Sequence, residues 1–141
     1  MKTAYISSPY RGDTEKEETE HVAYAISLLE YVLASGRIAP IVPHLYFPQV
    51  LDDSLQNDRE IALKCAQHLL KGCNMMICGA RYGISEGMHK EIEIALEMNI
   101  PIIWIDAKPS MLIGIIDAHE DADDVRKMKR EVDRIYGEAV K

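Results

Sequence analysis

The sequence predicts an α/β fold, a small doubly wound parallel sheet of four to five strands with helices on both faces. Three observations carry this. Short apolar runs at residues 1–6, 38–42, 75–77 and 102–105 alternate with longer stretches whose apolar residues recur three and four positions apart. The early runs lead straight into Ser, Pro and Gly, the breakers that end a strand at a loop. A chain of 141 residues that is 48% apolar is of single-domain length and can bury one continuous core without disulfides. This is the flavodoxin-like or Rossmann-like plan, in which ligands bind outside the carboxyl ends of the strands.

The elements follow in order. Residues 1–6 form a first strand, and Ser7-Ser8-Pro9-Tyr10-Arg11-Gly12-Asp13 a loop. Residues 14–34 read as a helix with an acidic first turn that suits the helix dipole and an apolar stripe of Val22, Ala25, Ile26, Leu29 and Leu33. Gly36 suits a left-handed cap. The next run holds Pro40, so it is expected to be short or to lie near a sheet edge. Residues 43–56 read as a long connection, stiffened by Pro43 and Pro48, whose aromatic and apolar side chains must bury as a wall or lid. Asn57 or Asp58 caps a helix reaching about Lys71, with an apolar face of Ile61, Leu63, Cys65, Leu69 and Leu70, and Gly72 stops it. The central unit runs from Asn74 to Asp106: a strand, a turn, a helix over 86–98 with Met88, Ile92, Ala95 and Leu96 at helical spacing, and a last strong strand. An apolar segment over 111–116 is too short to assign, and a charged helix is expected over about 122–137.

Charge and cysteine usage narrow the partners. A formal charge of −7 argues against a nucleic-acid polymer or an anionic membrane, both of which need clustered Lys and Arg. Small anionic ligands need only a few local donors. No apolar run approaches the roughly 18 residues of a membrane span. Cys65, Cys73 and Cys78, an odd count without a secretory signal, suit reduced thiols in a cytoplasmic protein and read as buried small hydrophobes. Their spacing matches no common zinc pattern.

The strand ends gather Tyr5, Ser7, Ser8 and Arg11 from the first loop, His44 and Tyr46 from the second, and Ser85, Glu86 and Glu91 from the third. Arg11, the hydroxyls and the following helix start make an anion site, because a fork of N–H donors and backbone amides matches phosphate oxygens. It is neither a P-loop nor a dinucleotide fingerprint. Glu91, one turn into a helix that buries Ile92 and Ala95, is expected to project toward the crevice rim as a nucleophile or base.

The opening Tyr5-Ile6-Ser7-Ser8-Pro9-Tyr10-Arg11-Gly12 and the later Ser85-x-Gly87-x-x-x-Glu91-x-x-x-Ala95 together resemble the nucleoside 2-deoxyribosyltransferase-like superfamily, especially its small 2'-deoxynucleoside 5'-monophosphate N-glycosidases and related phage and bacterial domains. The resemblance runs from Met1 to about Asp106. It implies an N-glycosidase or deoxyribosyltransferase that acts on 2'-deoxynucleoside 5'-monophosphates through Glu91 as nucleophile, with Tyr5 holding Glu91. It also implies a substrate site of Ser7, Ser8, Arg11, Gly12, His44, Ser85, Gly87 and Met88, a homo-oligomer, a dimer or higher, and a reaction that requires no metal or organic cofactor. Ser85 stands six residues before the nucleophile, where nucleotide-specific members carry Ser and nucleoside-specific members Asp. The family's helical Asp, which assists the leaving base, has Cys65 and Ala66 at the comparable positions here, so His44, Asp58 or Glu86 is the candidate acid. The alternative from another class is a nucleotide-binding module without turnover, a sensor or a sequestering protein.

Overall fold

The computed structural model describes residues 1–108, 110 and 111. Four strands, β1 (Lys2–Ser7), β2 (Ile38–Ile41), β3 (Met75–Gly79) and β4 (Ile102–Ile105), form one sheet in the order β2-β1-β3-β4, with every neighbouring pair parallel. Helix α1 (Glu15–Ala34) joins the first two strands, α3 (Gln56–Lys71) precedes β3, and α4 (Glu86–Glu97) joins β3 to β4. Four strands are thus present among the described residues. The helix expected over 122–137 and the segment from 112 to 116 lie outside them.

Strand periodicity of two sorts the sheet residues between its faces. Ala4, Ile6 and Ile77 pack with Tyr24, Leu28 and Val32 of α1 on one face. Tyr5, Met76, Cys78, Ile102 and Trp104 pack with Leu70 of α3 and Met88, Ile92, Ala95 and Leu96 of α4 on the other. The expected α4 stripe is therefore the buried one. The α1 stripe is not: Tyr24, Leu28 and Val32 enter the core beside Ala25, while Ile26 and Leu33 are exposed. Gly79 explains the rotation, because a Cβ there would overlap Leu28 Cδ1 and the Tyr24 hydroxyl, so the missing side chain seats that helical row.

Helix α1 starts as its composition dictates, with Thr14 as cap accepting a 3.1 Å hydrogen bond from Glu17 N and three glutamates in the first turn. It is followed by Gly36 at φ +65°, the left-handed position that favours glycine. Pro40 does lie in an edge strand, β2. The connection after it differs from the expected loop: Pro43–Tyr46 form a short helix, α2, and Phe47–Gln49 a 3-10 turn. Proline suits the first helical turn, where its missing N–H has no partner to lose. Helix α3 starts at Gln56 after Leu55, which makes no side-chain cap, so neither Asn57 nor Asp58 caps it. Only Leu70 of its expected apolar face is fully buried, with Ala66 and Leu69 packed beside the core, because the helix leans on the core through its last turns. Cys73 and Cys78 are buried, whereas Cys65 is exposed. No described helix is long and apolar enough to cross a membrane.

Candidate active site

Strand β1 places alternate side chains at the site. Tyr5 and Ser7 leave the sheet on the face covered by α4, and both are buried. Strand register carries Ser7 onto Cys78 of β3 and Cys78 onto Trp104 of β4. Helix α4 supplies the carboxylate. Its first turn is fixed by Ser85, whose Oγ accepts from Met88 N at 3.3 Å, while Ser85 N lies 3.5 Å from Met88 Sδ. Met88, Glu91 and Ala95 then fall three and four residues apart, on one side of the helix. Glu91, on the side of the helix that buries Met88 and Ala95, is half-buried, and its carboxyl is turned inward far enough that Oε2 is out of contact with solvent.

Burial drives the electrostatics. Loss of hydration pushes the Glu91 pKa up to about 7, although the neighbouring hydroxyls of Tyr5 and then Ser7 favour its charged form and pull it part of the way back. Burial first, and then the Glu91 charge, raise the Tyr5 phenol well above its usual range, so it stays a neutral donor. The same two causes raise the Cys78 thiol, leaving it protonated. Ser7 Oγ, Glu91 Oε2 and Trp104 Nε1 are buried without a hydrogen-bond partner among the described residues.

The other expected residues fall at varying removes. Ser8 Oγ and His44 Nε2 share a 2.7 Å hydrogen bond that ties the end of β1 to α2. Loss of hydration lowers the His44 pKa to about 4, so its imidazole is neutral at pH 7. Arg11 turns away from Glu91: it pairs with the Asp53 carboxylate and donates from Nη2 to the Asp53 carbonyl at 2.7 Å, with Arg59 3.8 Å from the same carboxylate. An open concavity of about 500 Å³ lies along that pair, lined by Tyr10, Arg11, Glu18, Val50 and Asp52 among others, and Tyr5, Ser7 and Glu91 take no part in it. Gly12 packs against Glu17, where a Cβ would overlap the Glu17 side chain. Gly87 faces open space. Met88 is a core side chain. Asp58 accepts from Asp52 N at 2.8 Å, and Glu86 is exposed, 3.7 Å from Lys90.

Two features are absent from the sequence reading. Trp104 reads as one more apolar strand residue, and only register reveals its indole on the Ser7 row. Asp106, at φ +58° just past β4, accepts from the Tyr24 hydroxyl at 2.9 Å and sits 3.3 Å from Arg81, whose guanidinium lies 4.6 Å from the Tyr24 ring centre. That cluster braces the turn leading to Ser85. No group of three or more potential metal ligands occurs among the described residues.

The chain is similar to a solved 2-deoxyribosyltransferase from the psychrotolerant bacterium Bacillus psychrosaccharolyticus, with a TM-score of 0.56 over 87% of this chain and 89% of that one. At 19% identity the likeness is one of fold, the flavodoxin-like parallel α/β plan. No curated protein matches the sequence. A family model, the domain of unknown function DUF7768, matches residues 2–105, a span that takes in all four strands and Glu91, and the chain belongs to that family.

Proposed function

We propose that this protein cleaves the N-glycosidic bond of 2'-deoxynucleoside 5'-monophosphates, with Glu91 as nucleophile. The observation that carries the reading is the Glu91 carboxyl: buried at the carboxyl end of a parallel sheet, beside the Tyr5 and Ser7 hydroxyls, with Oε2 unpartnered among the described residues. A carboxylate stripped of water gains most from a partner that becomes cationic, and an oxocarbenium-like sugar is such a partner. Glu91 attacks C1' as the C1'–N bond breaks, and the bonding pair leaves with the base, which takes up a proton from solvent water. The resulting glycosyl ester is resolved by water, giving hydrolysis, or by a second base, giving transfer. Tyr5 holds the carboxylate by donating to it. His44 is neutral at pH 7, so it serves the departing base as a hydrogen-bond partner and not as a store of protons. The exposed apolar side chains of Tyr46, Val50, Leu55 and Ile61 are read as a contact between copies of the chain.

The test is Glu91→Gln, which keeps the shape and removes the charge. Chromatography of released base from a panel of deoxynucleoside monophosphates is expected to give turnover with the parent and a loss of about a thousandfold or more with the variant, ~4 kcal/mol of barrier. A variant within about tenfold of the parent removes Glu91 as nucleophile. Tight binding by a parent that releases no base selects a binding module instead.

A further inference from the structure

The three buried polar atoms without a described partner are Ser7 Oγ and Trp104 Nε1, from the sheet face that α4 covers, and Glu91 Oε2, from α4 itself. Ser7, Cys78 and Trp104 are matched residues on three adjacent parallel strands, so their side chains leave the sheet on one face. With strands about 4.8 Å apart, that row is about 10 Å long, enough to span a bound sugar. Helix α4 covers the same face, and the charge of Glu91 is felt at Cys78, in the middle of the row. Ser7 is 1% exposed and Trp104 6%. Buried polar groups left unpaired are uncommon in native proteins and call for an explanation, and three in one place call for a shared one.

Their chemistry specifies the explanation. An indole N–H only donates, and a carboxylate only accepts. A ligand atom that satisfies both must accept from the first and donate to the second, which a hydroxyl does. We propose that Trp104 is a further substrate-contacting residue, its Nε1–H donating to a sugar hydroxyl that in turn donates to Glu91 Oε2, with Ser7 Oγ bounding the other end of the row. This rests on the deoxynucleotide reading of the Glu91 site. On that substrate the only unsubstituted sugar hydroxyl is the 3'. A nucleophile must reach C1' of a β-nucleotide from the face opposite the base, and the 3'-hydroxyl lies on that same face, so one carboxylate can address both.

Trp104 is the chain's only tryptophan, so its indole N–H gives a single resonance in a nitrogen-labelled sample. The experiment uses the full chain carrying Glu91→Gln, which keeps a carbonyl acceptor and blocks turnover, titrated with a 2'-deoxynucleoside 5'-monophosphate and with its 2',3'-dideoxy counterpart. The deoxynucleotide is expected to shift the indole resonance downfield and to bind about tenfold more tightly than the dideoxy compound, which leaves the resonance near its starting position. Adding Trp104→Phe is expected to cut that affinity ratio to about threefold or less, the share left to the residue 91 carbonyl, and an unchanged ratio overturns the proposal. Equal indole shifts with both nucleotides, or binding by calorimetry with no indole shift, overturns the proposal while leaving Glu91 cleavage standing. Absence of both binding and parental cleavage removes the glycosidase reading as well. If Trp104→Phe fails to fold, the indole titration alone decides.

Discussion

Glu91 shows how one residue's surroundings set its chemistry. In the proposed role of nucleophile it must be ionised, and burial holds its pKa at about 7. Acidification therefore removes the reactive form within the range where most carboxylates are still charged. The expected outcome is a kcat/KM that is level above about pH 7 and falls about tenfold per unit below it. A profile level from pH 5 to 8 would exclude Glu91 as the group that titrates. Its place on the helix was legible in the sequence, because the spacing of Ser85, Gly87 and Glu91 marks a helix start and a carboxylate one turn in. Its depth was not, since how closely α4 seats on the sheet depends on packing against Tyr5, Cys78 and Trp104 from distant parts of the chain. The Ser8–His44 pair was hidden for the same reason, being a contact 36 residues apart.

Among the elements, the four strands, α1 and α4 follow from periodicity and breakers, and their ends agree with the expected ones to within about two residues. The segment between β2 and α3 does not follow, because a four-residue helix makes a single turn and has no period to detect. That segment also decides the state of the first loop, since Asp53 within it holds Arg11. The pair is exposed, so it contributes only roughly 0–1 kcal/mol, whereas a charge-assisted bond to phosphate contributes about 1.5–3 kcal/mol. Arg11 can thus be drawn from Asp53 by a 5'-phosphate at little cost. Arg11→Ala is expected to weaken deoxynucleoside monophosphate binding on the order of tenfold or more while leaving the matched nucleoside within about twofold. Titration calorimetry on the matched pair checks this, and an equal loss for both ligands would take Arg11 out of the phosphate site.

For the molecule as a whole, two displaced groups act against each other on stability. Glu91 is raised from 4.5 to about 7 by folding, so its contribution to stability is fully present below pH 4.5 and is lost as the pH rises toward 7. His44 is lowered from 6.5 to about 4, so its contribution is present above pH 6.5 and is lost as the pH falls toward 4. Between about pH 4.5 and 6.5 the folded protein holds the Glu91 proton and the unfolded chain holds the His44 proton, one each, and the two slopes cancel. Either group alone is worth on the order of 3–4 kcal/mol across its window. Glu91→Gln therefore leaves the His44 slope unopposed. Relative to the parent, the variant is expected to be more stable at pH 8, where it no longer buries a charge, and to lose about 1.4 kcal/mol of that advantage per pH unit between 6.5 and 4.5. His44→Gln leaves the opposite slope, with relative stability falling as the pH rises across the same interval. Urea unfolding of the parent and both variants at pH 4.5, 5.5, 6.5 and 8 measures these differences directly. Parallel pH dependences for all three proteins would mean that neither side chain titrates as its burial requires.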